Sequence, residues 1–299
     1  MTVPEHDVSD AIDTNDHSIA RVQSLGSGSS GNAFLIEHGE SSFLLDCGVG
    51  IRTIIHAMNV RHQTIADLDA VLVTHEHIDH IRTLPQVLGP NIPVIASKGT
   101  FDRTRIRDQQ WLSITPSAPI QIAGASIWAL TVRHDAAEPC GFLIELPGAT
   151  ISVLTDLGSW RDELLEPLLA SDLIVLEANH DLEMLRCGPY PAHLKRRVAS
   201  DVGHLSNEHC GAVLADVAKR GPRTPTVWLA HLSGTNNRPE VAKATVDAAL
   251  DRIDRDLSIT PLPRRTPGPV WTPSENRSGE TNRNGPIARP ATQLSFDGI

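Results

Sequence analysis

Three imidazoles and two carboxylates fall within the six residues His75-Glu76-His77-Ile78-Asp79-His80, directly after the apolar run Ala70-Val71-Leu72-Val73 and Thr74. Histidine and aspartate are ligands for divalent transition metals. Where a chain leaves a buried strand, residues two apart still point to one side, so His75 and His77 can serve a single cation. Asp79 and His80 fall at the mouth of a following helix, where the chain has turned, and suit a second cation beside the first. The spacing therefore predicts a pair of adjacent metals.

The elements that must carry such a pair can be read from periodicity. Strand-like runs occur at 21–25, 33–37, 42–46, 70–73, 92–96, 126–132, 141–146, 150–155, 172–177 and 225–230, with helical stretches near 50–58, 80–88, 160–170, 193–201, 206–219 and 239–251. Hairpin strands followed by helices, twice over, fit two packed sheets with helices outside both. The segment Gly26-Ser27-Gly28-Ser29-Ser30-Gly31 has the letters of a dinucleotide-binding fingerprint, but the strand-like Ala33-Phe34-Leu35-Ile36-Glu37 follows it. That cofactor motif needs a helix N-terminus there, so the segment reads as a loop joining hairpin strands. Four apolar runs end in histidine or aspartate: before His75, at His134 after Trp128–Arg133, at Asp156 after Ile151–Thr155, and at His231 after Val227–Ala230.

With these motifs the chain resembles the metallo-β-lactamase-fold hydrolases, closest to the YycJ/WalJ-type exonuclease branch, over roughly residues 21 to 262. The resemblance implies an α/β (α+β) fold, a four-layer αββα sandwich of the metallo-β-lactamase type. It implies that His134 completes the first metal site with His75 and His77, that Asp156 bridges both metals, and that His231 joins Asp79 and His80 at the second. Asp46, at the end of the run Phe43-Leu44-Leu45, matches an aspartate that orients a ligating imidazole without touching metal. SGSSGN, from Ser27 to Asn32, matches the opening signature of the branch. Related transfer-RNA-processing hydrolases carry a GHS-type histidine and a strand-end glutamate that relay a proton, and His204 and Glu177 match them. Asp79, Glu177 and His204 are thus the candidate catalytic residues.

A His/Asp ligand set around two close cations, Zn2+ or Mn2+, generates a metal-bridging hydroxide near neutral pH and implies hydrolysis. The absence of cysteine among these ligands argues against an antibiotic-degrading lactamase, and HxH in place of HxE argues against the flavin-linked di-iron enzymes of the fold. The branch resemblance implies a nuclease, acting on DNA more than RNA and from a 5′ end. The alternatives are a small-molecule phosphodiesterase or thioester (glyoxalase II-like) hydrolase, and a metal-bound regulatory or binding module with little turnover.

Composition is compatible with a polyanionic substrate despite a net charge of −10. Residues 1–20 hold five acids and no Lys or Arg (−5), and residues 263–299 hold five Arg and three acids (+2), leaving −10 + 5 − 2 = −7 for the body. Two divalent cations would return +4 where substrate binds. Basic residues cluster in FDRTRIRD and at Arg186, Lys195, Arg196 and Arg197. The four cysteines, Cys47, Cys140, Cys187 and Cys210, have no framework or CxxC spacing and read as reduced thiols. No apolar run approaches a membrane span, and the N-terminus lacks the basic and apolar regions of a signal peptide, so a cytoplasmic protein is expected. The acidic residues 1–20 and the Pro/Arg-rich residues 263–299 lack periodic apolar content, and disordered segments are expected on both sides of a domain spanning 21–262.

Overall fold

The computed structural model describes residues 19–273 except 105, 107–109 and 254–256. Two mixed sheets pack face to face. The first has the order β14-β1-β2-β3-β4-β5-β6, built from β1 (Arg21–Gly26), β2 (Ala33–His38), β3 (Ser41–Leu45), β4 (Ala70–Leu72), β5 (Val94–Ala96), β6 (Trp111–Ser113) and β14 (Val270–Trp271). The second has the order β13-β12-β11-β10-β9-β8-β7, built from β7 (Ile120–Ile122), β8 (Ala125–Thr131), β9 (Cys140–Leu146), β10 (Ala149–Leu154), β11 (Leu173–Glu177), β12 (Thr226–Ala230) and β13 (Ser258–Pro261). In each sheet antiparallel hairpins give way to parallel strands: β3, β4, β5 and β6 in one, β10, β11, β12 and β13 in the other.

Period-two alternation makes the layers. Phe34, Ile36, Phe43 and Leu45 meet Phe142, Ile144, Val153, Val175 and Trp228 between the sheets. The intervening Leu35, Leu44 and Val71 face away, toward Ile54 and Met58 of α1 (Ile51–Asn59) and Leu84 of α3 (Leu84–Val87). Leu154, Leu176 and Leu229 likewise pack on Leu168 of α5 (Leu165–Ala170), Leu214 of α8 (Asn207–Arg220) and Val246 of α9 (Pro239–Asp251). Strands buried on both faces read as continuous apolar runs, which is why these were legible. The αββα sandwich expected from the sequence is the fold observed.

Several elements were not foreseen. β6, β7, β13 and β14 are two to four residues long, and the expected helix at 80–88 is two short ones, α2 (Ile78–Ile81) and α3, with Pro85 in the first turn of the second. α4 (Lys98–Arg103), α6 (Leu182–Cys187) and α7 (Ala192–Val198) complete the α-helices among the described residues. Of the basic cluster FDRTRIRD, Arg105 and Arg107 lie outside the described residues.

The end of the domain also differs from expectation. The chain does not leave the fold at residue 262. Ser27 N donates to Pro263 O at 3.1 Å and Gly268 N to Ser24 O at 2.8 Å. Val22 and Gln23 then pair with Trp271 and Val270. Trp271 is buried, and its Nε1 donates to Thr226 Oγ1 at 3.2 Å, tying the first sheet to the start of β12 in the second. Low apolar content hid one well-placed indole. The parts of the proposed disordered ends at 1–18 and 274–299 lie outside the described residues. Among the described residues no helix is long and apolar enough to cross a membrane.

Trp271→Ala removes this inter-sheet tie and is expected to lower unfolding free energy by roughly 3 kcal/mol in urea titration, the cost of a large core truncation. A change below about 0.5 kcal/mol would return residues 263–273 to the status of a loose tail.

Candidate metal centre

The candidate ligands come off the C-terminal ends of strands at one rim of the sandwich, the end at which open sheets present ligand sites. Asp46 follows β3, His75 to His80 follow β4, His134 follows β8, Asp156 follows β10, Glu177 ends β11 and His231 follows β12. Asp46, Asp156 and His231 have φ of 55°, 54° and 54°. This left-handed conformation is disfavoured for residues bearing a Cβ, and most of all for a bulky one. It turns each chain sharply, so the strand-end side chain points across the rim and not along the strand.

Two triads result. His75, His77 and His134 place one ring nitrogen each within 4.8 Å of the others, as do the ligand atoms of Asp79, His80 and His231. His77 Nδ1 and His134 Nε2 are 3.2 Å apart. Two nitrogens bound to one tetrahedral cation at about 2.0–2.1 Å are separated by roughly that distance. Asp156 lies between the triads. Its Oδ1 is 3.6 Å from His134 Nε2, and its Oδ2 is 3.0 Å from His80 Nε2. In the second triad Asp79 Oδ2 lies 3.5 Å from His231 Nε2 and 3.7 Å from His80 Nε2.

The outer nitrogens are fixed by neighbours. Asp46 Oδ2 is 2.7 Å from His80 Nδ1, while Asp46 Oδ1 accepts from Thr74 N at 2.9 Å. Thr74 Oγ1 also lies 3.1 Å from His75 Nδ1, and Gly203 O is 3.1 Å from His134 Nδ1. These contacts set tautomers and turn the opposite nitrogens inward. Glu177 gathers four donors: Oε1 lies 2.8 Å from His231 Nδ1 and 2.9 Å from His204 Nδ1, and Oε2 accepts from Leu157 N at 2.7 Å and Leu205 N at 3.0 Å. The His204 ring stands 5.2 Å from those of both His134 and His231.

The donor set fits divalent cations. His75 Nε2 is buried without a hydrogen-bond partner, a costly state that a cation would relieve. Burial, reinforced by the charge on His80, holds His75 well below the usual imidazole range, and burial also lowers His134, so these two rings offer neutral lone pairs. In the second triad burial opposes charge on His80, but Asp46 and Asp156 outweigh it and raise the ring to about 10. Asp156 does the same to His231, with Asp79 and Glu177, and raises it well above the usual range. A pocket that pulls protons onto buried imidazoles pulls a metal cation by the same charges.

Three contributors were missed in the sequence. Asn32 Nδ2 lies 3.1 Å from His80 Nε2, and its Oδ1 accepts from Gly28 N at 2.8 Å. Ser27 Oγ accepts from His231 N at 2.9 Å. The glycine-rich loop is therefore part of the rim. Asp135 places Oδ1 3.3 Å from His134 Nε2. Gly48 is a close approach: a Cβ there would come within 1.6 Å of Asp79 O, so glycine lets the Asp46 turn seat the short helix α2. Cys47 is buried in the apolar layer beneath. His180 is buried with Nδ1 unpartnered, whereas His193 and His209 are exposed on their helices.

Residues 41–231 match the family described as the beta-lactamase superfamily domain. The chain belongs to that family. Its superfamily relatives include the exodeoxyribonuclease YycJ of Bacillus anthracis, 33% identical over 233 residues, covering 76% of this chain and 88% of the relative. The exodeoxyribonuclease WalJ of Streptococcus pneumoniae is 31% identical over 252 residues, covering 79% and 90%. Among solved structures, the metallo-β-lactamase-fold protein YhfI of Bacillus subtilis aligns with a TM-score of 0.64 at 18% identity, covering 85% of this chain and 99% of that one. Zn2+-bound PqqB of Methylobacterium extorquens aligns with a TM-score of 0.61 at 17% identity, covering 84% and 99%. This superfamily member is a metal-dependent hydrolase.

The left-handed strand ends give a test that needs no metal. In metal-free protein His231→Gly should be more stable than His231→Ala by about 1 kcal/mol, because alanine keeps the Cβ penalty that glycine avoids. Thermal and urea unfolding of the two variants measure the difference. Equal stabilities would mean that the backbone turn is not imposed by the fold.

Proposed function

We propose that this hydrolase is a dinuclear DNA exonuclease. His75, His77 and His134 hold one divalent cation, Zn2+ or Mn2+, and Asp79, His80 and His231 hold the other. The observation that carries this reading is Asp156, whose carboxylate lies between the triads, 3.6 Å from His134 Nε2 of the first and 3.0 Å from His80 Nε2 of the second. When bound there, two cations would supply a nucleophile from water at neutral pH and neutralise charge on the attacked phosphodiester. DNA is supported by the two exodeoxyribonuclease relatives, and digestion from a 5′ end by the resemblance of the motifs.

The chain's own contribution to bond cleavage is a proton for the leaving 3′ oxygen. His204 is placed to give it. Glu177 Oε1 holds Nδ1 at 2.9 Å, which leaves Nε2 as the nitrogen free to face the cleft, and the side chain is partly exposed at 15%. Glu177 itself does not suit the donor role. Burial would raise its carboxyl, but the His204 charge and the hydrogen bonds from His204 and His231 outweigh burial and bring it down to about 2. It has no proton to give at neutral pH. It contacts His204 and His231 through one oxygen, so in this reading Glu177 orients and His204 is the member of the pair that gives the proton.

Turnover of end-labelled single-stranded DNA, RNA and bis(p-nitrophenyl) phosphate by the metal-loaded protein tests the reading. Mononucleotide release from the 5′ end of DNA is expected; hydrolysis of the nitrophenyl ester or of a thioester alone would point to a small-molecule hydrolase. His204→Ala should keep its metals and lose about 10²- to 10⁴-fold in rate on DNA. The loss should shrink sharply on the nitrophenyl ester, whose leaving group departs without a proton. Equal losses on both substrates would remove His204 from the acid role.

Elemental analysis should find about two metals per chain. It should find about one in His77→Ala and fewer than one in Asp156→Ala. A full pair in Asp156→Ala would contradict the bridging position.

A further inference from the structure

The fold brings one exposed cation to the edge of the first triad. Arg197 Nε lies 2.6 Å from Asp135 Oδ2, and the other Asp135 oxygen lies 3.3 Å from His134 Nε2, the nitrogen that faces His77. One carboxylate thus separates the guanidinium from the triad. The Arg197 side chain is 51% exposed and that of Asp135 is 30% exposed. An ion pair so open to water contributes about 0–1 kcal/mol, too little to explain why a guanidinium is fixed here.

Its position is set by backbone instead. Arg197 lies in the last turn of α7, and His204 N donates to Val198 O at 2.9 Å. Gly203 packs onto the same turn: a Cβ there would come within 2.2 Å of Arg197 O and 2.3 Å of Val198 O. Gly203 O in turn meets His134 Nδ1. The end of α7, Gly203, His204 and His134 are therefore one connected unit, and Arg197 keeps its place relative to both the triad and the acid. The bond to Asp135 uses Nε, which leaves the two terminal nitrogens of a five-donor fork for a second, anionic partner.

A phosphodiester held at the triads and facing His204 has its neighbouring phosphate within reach of this edge only if the substrate is a chain. We propose that Arg197 binds the phosphate next to the one being cleaved, leaving Asp135 as substrate arrives, so that the site selects polynucleotides over isolated phosphodiesters. This rests on the nuclease reading and names the residue by which the site prefers a polymer. Arg197 is a specificity residue and does not touch the bond that breaks.

The test measures equilibrium binding of a fluorescein-labelled single-stranded oligonucleotide by anisotropy across a salt series, and turnover of DNA and bis(p-nitrophenyl) phosphate by the metal-loaded protein. Arg197→Ala should weaken oligonucleotide binding roughly 10-fold or more. It should also flatten the dependence of log affinity on log salt by about 0.7, the value of one phosphate contact on a single strand. Arg197→Lys should keep the salt slope. Asp135→Asn, which removes the competing carboxylate, should tighten binding; opposite signs from two partners of one ion pair cannot come from general loss of fold. The loss on the nitrophenyl ester, which has no second phosphate, should be far smaller than on DNA. Unchanged binding and slope in Arg197→Ala, with wild-type protein degrading DNA, would overturn this inference alone, as would equal losses on both substrates. Wild-type protein that hydrolyses the nitrophenyl ester but neither binds nor degrades DNA would overturn the nuclease reading and this one with it.

Discussion

A single carboxylate, Asp156, is 3% exposed and sits between two groups of imidazoles, and the rim of the sandwich is arranged around keeping it there. Burying an isolated carboxylate is expensive, and the group normally neutralises itself or finds a partner. Here burial pushes Asp156 upward, and the charges on His231 and His80 outweigh it and hold it well below the ordinary carboxylate range. The price of that burial is met only by a dense ring of positive or metal-bound nitrogen. At the rim β3, β4, β8, β10, β11 and β12 each supply part of that ring or a group that orients it.

The scaffold meets this demand by stiffness. Parallel strands β10, β11 and β12 run side by side in register, so their ends deliver Asp156, Glu177 and His231 as neighbours. Glu177 then locks two histidines with one oxygen and two backbone amides with the other. Left-handed turns at Asp46, Asp156 and His231 are each disfavoured by about 1–3 kcal/mol and persist because the strands on one side and helices on the other over-determine them. The glycine-rich loop and the strap through Pro263 close the remaining side, with Ser27 holding the His231 amide. The candidate ligands are thus held by a preformed frame more than by flexible loops.

Much of this was legible because the chemistry is local or sits at predictable places. His75, His77, Asp79 and His80 lie within six residues, and His134, Asp156 and His231 each follow a buried strand whose apolar run is plain in the sequence. A role for Asp46 in orienting a ligating imidazole followed from the resemblance, and the structure sets it beside His80. What was hidden depends on approach between distant loops. Asn32 reaches His80 across a hairpin, and Asp135 has no pattern of its own beyond its place after His134. Arg197 looked like one of a run of basic residues on a helix face, and only the packing of Gly203 shows why this one is fixed. Strands of two to four residues such as β6 and β14 carry too few alternations to read, and Trp271 was masked by the Pro, Gly and Arg around it. Glu177 was readable as a strand-end acid, but its four donors are visible only in three dimensions.

The account turns on Asp156 standing between two cations. Anomalous diffraction from crystals of the metal-loaded protein tests this most directly. The account predicts two peaks, one among His75, His77 and His134 and one among Asp79, His80 and His231, with an Asp156 oxygen in contact with each. A single peak, or a pair in which Asp156 touches only one, would contradict it.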